Sequence, residues 1–329
     1  MKLTSNRRIE IVAERFKWRW GVHRWFVLLF IVLGVFAARA YPPVLPHVAL
    51  PAERLSGQPL FTAPVIGPFY WTNTLTAMVI ADIIIIIIAL VVRRAALSGQ
   101  MVPTGFFGAM EAFFEAIFNL TESTAGKWAK TIFPYFATIT LYVLLVNWME
   151  LLPGVDSIGI IEHADEGGHA VSQLTPGIAT IVKQDGEFSL VAYVRVLSTD
   201  LNFTVGLALF SVFMTQIVGL RAQGLNYFTK FVNVKHVFSR PVFGVIDFGV
   251  GLLELVSEFS KILSFGFRLF GNIFAGSVLL FVIGSLIPVF AQSGVLMLEF
   301  FVGLIQALIF GMLTMVFMYQ ATQGHEEAH

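Results

Sequence analysis

The chain contains 329 residues, of which 57% are hydrophobic and 13% are charged, and its mean hydropathy is +0.79. Because an average soluble domain has about 25% charged residues, this composition excludes a soluble globular protein and predicts a polytopic membrane protein. The 21 basic and 21 acidic residues cancel, so nothing indicates a nucleic-acid partner, and the absence of cysteine excludes disulfide and thiolate chemistry.

Six apolar segments are long enough to be membrane helices, which predicts an all-α fold. They are residues 25–41, 69–92, 132–152, 201–220, 242–287 and 294–320. The last two reach or exceed the length of one upright membrane helix, about 17–25 residues, so we expect a long, tilted hairpin over 242–320. The first segment has a second interpretation as a signal peptide, since a basic arm precedes it, although Arg39 interrupts the small residues of the cleavage site.

Basic residues near the ends of these segments predict six spans with both termini in the cytoplasm, in a prokaryotic inner membrane. The N-terminal arm and the connections after the second and fourth spans are basic, whereas the loops 42–68 and 153–199 are not. We divide the chain into an N-terminal part with one additional span, 1–68, and a membrane domain, 69–329. His163 and His169 lie in the predicted external loop, where we expect them to be solvated rather than bound to a metal ion.

Residues 104–126 predict an amphipathic helix at the cytoplasmic membrane surface. Phenylalanine and methionine repeat on one face, and Glu111, Glu115 and Glu122 lie on the opposite face. Because this polar face is acidic, we expect it to contact another subunit or the solvent rather than anionic lipid.

The sequence contains no internal repeat, metal-ligand cluster, phosphate-binding glycine loop, or nucleophile with an accompanying base. We therefore expect no metal, no cofactor and no covalent catalysis by this chain alone. Polar side chains inside the apolar segments are the remaining functional candidates, because each is costly in lipid unless it has a role.

Arg268 lies well inside the fifth apolar segment, and no acid stands within one helical turn of it. A guanidinium stays charged in proteins, and at membrane depth it costs about 2.5–3.5 kcal/mol on insertion scales. Such a residue normally faces a partner, an aqueous cavity or an ion path; the alternative is contact with lipid headgroups. An unpaired guanidinium repels cations, so ions would pass it only on a moving partner that carries a carboxylate.

A polar stripe passes through Arg268 on the same predicted helix. It is about 27 Å long at 1.5 Å per residue. Its members follow at steps of three or four residues: Glu254, Ser257, Lys261, Ser264, Arg268 and Asn272. We expect the stripe to line an ion path, while for its serines interhelical hydrogen bonds are an equally good interpretation. Other polar positions at membrane depth are Glu299 with Gln306, Asn147 with Glu150, and Asp200 with Asn202.

These residues lie in motifs that resemble subunit a of the rotary ATP synthase membrane sector. The most specific motifs are SKILSFGFRLFGNIFAG at 260–276 and LIQALIFGMLTMVFM at 304–318. Supporting motifs are NWMELLPG at 147–154, DLNFTVGLA at 200–208 and FYWTNT at 69–74. The resemblance covers residues 69–325.

The resemblance implies a proton-translocating stator subunit that abuts a ring of c subunits and joins the peripheral-stalk b subunits. Two aqueous half-channels would meet the ring at different depths, and ion flow would turn the ring to drive ATP synthesis. Arg268 resembles the family's essential arginine, which separates the half-channels and helps to release the ion from the ring carboxylate. Asn272 and Gln306 match its polar neighbours, and Glu254 matches an acidic half-channel residue.

Further path residues are also assigned through the resemblance. Four positions match polar residues at helix ends: Asn147, Glu150, Asp200 and Asn202. Many bacterial members have an acid directly after the AlaGly of the arginine motif and a histidine seven residues before the glutamine. Here these positions hold Ser277 and Glu299, so we expect Glu299 to exchange protons in the periplasmic half-channel.

Two other functions remain open at this point. A stand-alone ion channel or secondary transporter would conduct ions without a ring, and transporters of this kind often contain structural repeats, which the sequence lacks. A membrane scaffold would tolerate replacement of Arg268. Neither the choice between H⁺ and Na⁺ nor the number of c subunits follows from this chain.

Overall fold

The computed structural model describes residues 20–40, 44, 50–64, 67–97, 105–164, 168–176, 178–231 and 241–323. The predicted basic arm at 1–19 lies outside the described residues. Within them the chain forms seven α-helices: α1 Trp20–Ala40, α2 Asn73–Ala96, α3 Phe106–Ala125, α4 Ala129–Met149, α5 Leu201–Gln223, α6 Pro241–Leu286 and α7 Phe290–Thr322.

Five helical stretches of the described residues are long and apolar enough to cross a membrane. They are Asn73–Arg94, Phe107–Met149, Leu201–Lys230, Phe248–Leu286 and Phe290–Thr322. These stretches confirm the prediction of a polytopic, mostly helical membrane protein. The predicted first span, 25–41, coincides with α1, which is not among the five, so a sixth span remains a prediction.

The predicted amphipathic helix at 104–126 is α3, which continues through a 3₁₀ turn at Gly126–Trp128 into α4. Its apolar face packs on α4 and α7, where Ile117 and Ala125 are buried. The three glutamates of the opposite face are exposed. The structure therefore confirms the amphipathic pattern, while α3 and α4 together form one of the five apolar stretches.

Helices α6 and α7 form the predicted long hairpin. They contain 46 and 33 residues. At 1.5 Å per residue these helices are about 69 and 50 Å long, which exceeds the bilayer core of about 30 Å. Proline is favoured in the first turn of a helix, and α6 begins at Pro241. Because of their length, both helices must tilt or extend beyond the lipid.

The buried core lies where α4, α5, α6 and α7 meet. Ile139 of α4 packs there with Phe265 of α6 and Phe310 of α7. Helix α7 approaches α4 so closely that a Cβ on Gly311 would overlap the hydroxyl of Thr140. Small residues allow such close approach between membrane helices. The resulting scaffold fixes the positions of the polar side chains on α4, α6 and α7.

The prediction that 153–199 is a loop is wrong. A two-stranded hairpin of β1 Phe61–Ala63 and β2 Gly67–Phe69 precedes five strands: β3 Pro153–Asp156, β4 Gly159–His163, β5 His169–Thr175, β6 Ile178–Asp185 and β7 Phe188–Ala192. Four of them form an antiparallel sheet in the order β4–β7–β5–β6. The dispersed charges of this segment favoured a loop, whereas its β-branched residues suit strands.

The two histidines of this segment lie in strands. The side chain of His163 is 74% exposed, and its ring centroid is 4.6 Å from that of Phe188. His169 begins β5. Across the described ranges, no three metal-ligating side chains come together.

Candidate functional site

Arg268 lies on the outward face of α6. On the inward face Leu269 and Ile273 are each 1% exposed. Arg268 and Asn272 are exposed on the outward face, and Phe267 beside them is 51% exposed. A guanidinium on an apolar outward face is costly in lipid, so this surface is suited to a partner rather than to acyl chains.

No carboxylate forms an ion pair with Arg268 in the part of the chain that the structure describes. Lys261, two helical turns earlier on α6, is paired, because its Nζ lies 3.0 Å from Oε1 of Glu258. Asn272 and Gln306, the predicted neighbours of Arg268, form no hydrogen bond with it in the described ranges. An acidic group that pairs with the Arg268 guanidinium must therefore come from outside these ranges.

The stripe serines Ser257 and Ser264, and the neighbouring Ser260, form no hydrogen bond to another helix among the described residues. The hydroxyl of Ser260 donates to the carbonyl of Val256 in its own helix, at 2.8 Å. Ser257 and Ser264 are exposed, and neither hydroxyl has a hydrogen-bond partner among the described residues. Interhelical hydrogen bonds therefore do not explain these serines.

Three predicted path residues come together from α4, α6 and α7, and we call Glu150, Ser277 and Glu299 the acid cluster. The hydroxyl of Ser277 donates to Oε1 of Glu150. The carboxylate of Glu299 lies directly against Gly276. All three side chains are buried, and Oε2 of Glu299 has no hydrogen-bond partner in the described residues. Two carboxyl groups and a hydroxyl in one buried cluster can take up, hold and transfer a proton.

Hydrogen bonds between α4 and α7 hold this cluster in place. The side-chain amide of Asn147 donates to the carbonyl of Gly303 at 3.1 Å and accepts from the hydroxyl of Ser198 at 2.6 Å. The indole of Trp148 donates to the carbonyl of Phe300 at 3.1 Å. Asn147 thus fixes the end of α4, which carries Glu150, against the helix that carries Glu299.

A second polar group lies near the other end of α6, and we call Gln216, Tyr227, Lys230, Glu258 and Lys261 the ion-pair cluster. The ammonium groups of Lys230 and Lys261 each lie 3.0 Å from Oε1 of Glu258. Gln216 donates to Oε2 of Glu258 at 3.0 Å and accepts from the hydroxyl of Tyr227 at 2.6 Å. Both carboxylate oxygens of Glu258 are therefore satisfied.

Glu254 adjoins this cluster but is held more loosely. Its carboxylate is 3.5 Å from Nζ of Lys230, and its side chain is 34% exposed. A cavity of about 610 Å³ is lined by Glu254, Glu258 and residues of α5 and α7, among them Thr215 and Gln320. Among the described side chains at this end of α6, Glu254 is thus the accessible carboxylate.

Arg268 lies about midway between the two clusters along α6. Glu258 precedes it by ten residues and Ser277 follows it by nine. At 1.5 Å per residue these separations correspond to about 15 and 14 Å. The helix therefore carries a buried polar cluster on either side of one unpaired cation.

The sequence analysis did not identify Glu258, Lys230, Gln216 and Tyr227 as a unit. Glu258 and its partners Lys230 and Gln216 are 28 and 42 residues apart along the chain. No helical periodicity connects positions so far apart. The one local signal was Lys261, which follows Glu258 at the i,i+3 spacing of a helical ion pair.

Asp200 and Asn202 occupy the start of α5. Oδ1 of Asp200 accepts from the backbone N–H of Asn202 at 2.9 Å, as an N-cap residue does, and Oδ2 accepts from the hydroxyl of Thr74 at 2.9 Å. Asn202 is exposed. These bonds begin α5 and connect it to α2, and the described hydrogen bonds do not join either residue to the acid cluster.

Asp156 at the end of β3 is a titratable group outside the helices. Burial raises its pKa from 3.8 to about 6, while the Arg195 guanidinium and the backbone N–H of Val196 act in the opposite direction. Its backbone is left-handed, with φ 56, and its N–H donates to the carbonyl of Val194 at 3.0 Å. The pKa of this carboxyl group, six residues after Glu150, is therefore closer to neutrality than that of an ordinary aspartate.

The comparison with known protein families decides the identity. The sequence model of the family described as ATP synthase A chain matches residues 75–319, which is most of the chain. The chain belongs to this family. It is similar to ATP synthase subunit a of Mycobacterium bovis, with 29% identity over 277 residues, covering 82% of this chain and 94% of the relative.

Two further relatives are similar over most of the chain, and one of them has an ion in its name. ATP synthase subunit a 1 of Photobacterium profundum is 31% identical over 268 residues, which cover 79% of this chain and 90% of the relative. A protein of Propionigenium modestum named ATP synthase subunit a, sodium ion specific, is 26% identical over 291 residues, which cover 87% and 86%.

Membership of the ATP synthase subunit a family fixes the general function. The chain is a multi-pass membrane protein, the ion-translocating stator subunit of the F0 sector and part of the ATP synthase complex. A stand-alone channel or secondary transporter is not favoured. The roles of individual residues are a separate matter, and they rest on the geometry of α4, α6 and α7.

Proposed function

We propose that Arg268 separates two ion half-paths that meet a ring of c subunits on the outward face of α6. The acid cluster lies on one of these half-paths, and Glu254 with its cavity lies on the other. The observation that supports this assignment is an exposed, unpaired guanidinium about midway between two buried polar clusters.

In the first half-path, a proton passes between the carboxyl groups of Glu150 and Glu299, with the hydroxyl of Ser277 as a relay. Asn147 keeps the two helices in register. Glu299 takes the role that an acid after the AlaGly motif has in many family members. Its burial against Gly276 supports this role, because an unpartnered buried carboxyl oxygen is rarely retained without a function.

In the second half-path, Glu254 exchanges the ion with the solvent of the adjoining cavity. Ser257 follows on the exposed face towards Arg268. Glu258 is held by two lysines and serves as a fixed counter-charge. On the basis of the basic flanks in the sequence, we place this end in the cytoplasm and the acid cluster on the periplasmic side of a prokaryotic inner membrane.

At the centre, Arg268 attracts each passing carboxylate of the ring and favours release of its ion. Asn272 and Gln306 flank this contact as hydrogen-bonding groups, and Asp200 with Asn202 holds the start of α5. Each charge that crosses 100 mV is worth about 2.3 kcal/mol, so a direct leak past Arg268 would dissipate the gradient. Protons are the proposed ion, and b subunits hold the chain as a stator.

The test is ATP-driven proton pumping by inverted membrane vesicles that contain the assembled complex. We expect Arg268→Ala to abolish coupled pumping, because no other described cation lies on the outward face of α6 at this depth. Arg221→Ala is the matched control, since Arg221 is exposed in the last turn of α5. Pumping by Arg268→Ala at the control rate, with the complex assembled, would refute the proposal.

A further inference from the structure

The ammonium group of Lys230 occupies the polar cavity beside Glu254 and Glu258. Its Nζ lies 3.0 Å from Oε1 of Glu258 and 3.5 Å from Oε1 of Glu254, and its side chain is 13% exposed. The ammonium group also lies over the rings of Tyr227 and Phe231, 4.5 Å from each centroid. Lys230 is therefore a cation enclosed by carboxylates and aromatic faces.

The segment that carries Lys230 is itself fixed in place. It is a 3₁₀ helix at Gly224–Lys230, and Tyr227 within it is 1% exposed. The Tyr227 ring packs on Gly219, where a Cβ would overlap the ring. The carbonyl of Phe231 packs in the same way on Gly251 of α6. These contacts set the position of the segment, and so of the Lys230 backbone, independently of the ion pairs of Lys230.

The groups around Nζ are also suitable ligands for a small inorganic cation. Carboxylate, hydroxyl and amide oxygens are the donors that hard metal cations prefer. Glu254 and Glu258 supply carboxylates next to a cavity of about 610 Å³ that admits water. Two acids and two lysines give the group no net charge, and removal of one lysine would leave one negative charge uncompensated.

We propose that Lys230 is a specificity-determining residue whose tethered ammonium occupies a cation site and thereby excludes alkali metal ions from this cavity. A free Na⁺ ion would need to displace a positive charge that covalent attachment keeps at the site. Protons are not excluded, because Glu254 is accessible and forms one ion-pair contact within the described residues. The effect on transport rests on the proposed function of Glu254, whereas the effect on cation binding does not.

The binding test compares the assembled complex in detergent in equimolar NaCl and choline chloride at alkaline pH, where the carboxylates are ionised. In Lys230→Gln we expect NaCl to raise the thermal midpoint by at least about 2 °C, as a ligand that binds the folded state does. The wild type and Lys230→Arg should have the same midpoint in both salts. Equal midpoints for Lys230→Gln in both salts would overturn the proposal.

Three further variants control the assignment. Lys183→Gln removes an exposed lysine from β6 and should give no response to Na⁺. The double variant Lys230→Gln/Glu254→Gln restores charge balance, so the Na⁺ response should be lost; a response that persists places the ion elsewhere and contradicts the proposal. Lys261→Gln also removes a positive charge from Glu258 but keeps the Lys230 ammonium in the site, so it should give no response to Na⁺; a response in this variant would contradict the assignment of the exclusion to Lys230.

The transport readout separates this inference from the proposed function. ATP-driven pumping by Lys230→Gln vesicles should be slower in NaCl than in choline chloride, and wild-type pumping should be equal in both. If NaCl raises the thermal midpoint of Lys230→Gln but does not slow its pumping, the cation site is supported, and Glu254 is shown not to lie on the ion path. Slower pumping without a midpoint shift would contradict the cation site.

Discussion

The carboxylate of Glu299 on α7 lies directly against the backbone of Gly276 on α6, and a Cβ at position 276 would overlap it. Gly276 is next to Ser277, whose hydroxyl donates to Glu150. The absence of a side chain at one position thus allows two acids from different helices to share a buried site.

Gly276→Ala should disrupt this arrangement. Because the added methyl group must displace the Glu299 carboxylate or separate the helices, we expect a loss of about 1–3 kcal/mol in stability and slower proton flux. Thermal unfolding in detergent and ATP-driven vesicle acidification measure the two effects. Gly206→Ala on α5, where nothing lies within 4 Å of the new Cβ, is the control and should change neither quantity; equal behaviour of the two variants would contradict the packing described here.

Glu299→Gln and Glu150→Gln should each slow proton flux by about tenfold or more, as the loss of a proton-transfer group does. Since the two acids belong to one cluster, we expect the double variant to be little slower than either single variant. Passive proton uptake by vesicles and complex assembly on native gels are the measurements. Glu162→Gln on the exposed edge of the sheet is the control, and multiplicative effects in the double variant would show that the two carboxyl groups act independently rather than as one cluster.

The sequence predicted the helices better than it predicted the partners of their polar residues. The hairpin predicted at 242–320 corresponds closely to α6 and α7, because length, apolar composition and Pro241 all act locally. Glu299 was found because it occupies a motif position. The pairing of Lys230 with Glu258 depends on a 3₁₀ segment that folds back on α6, and the strands at 153–199 depend on pairing between distant residues, so neither was predicted.

Thr314→Val should weaken the contact between α5 and α7. The hydroxyls of Ser211 and Thr314 are 2.7 Å apart and buried, and the hydroxyl of Thr314 is also within 2.9 Å of the carbonyl of Phe310. Valine has the same shape and leaves Ser211 without this partner, so we expect a loss of about 0.6–1.7 kcal/mol, the range for hydrogen bonds between membrane helices.

Thermal unfolding in detergent checks this value for Thr314→Val. The double variant Ser211→Ala/Thr314→Val removes both polar groups and should be less destabilised than the single variant. A double variant that is as unstable as the sum of the two single variants would show that the hydroxyls do not interact.

Asp156→Asn should stabilise the protein at neutral pH. The pKa of Asp156 is raised from 3.8 to about 6, so the folded state binds the proton more tightly and the wild type loses stability as pH rises from about 4 to 6. Above that window asparagine removes a cost of at most about 3 kcal/mol. The thermal midpoint at about pH 7.5 and at about pH 4, on the two sides of this window, measures the difference.

The stabilisation by Asp156→Asn should disappear at the lower pH, where the wild-type carboxyl is also neutral. Asp185→Asn, at the exposed end of β6, is the matched control. A stabilisation that is independent of pH would assign the effect to packing instead of charge.

The exposed position of Arg268 also affects how the subunit is assembled. A chain that has not met its partner presents this guanidinium to lipid, at a cost of about 2.5–3.5 kcal/mol on insertion scales. Contact with the acidic partner that we propose would remove that cost. The charge that we propose blocks ion leakage in the complex would therefore make the orphan subunit less stable in the bilayer, which would bias newly made chains towards assembly or degradation.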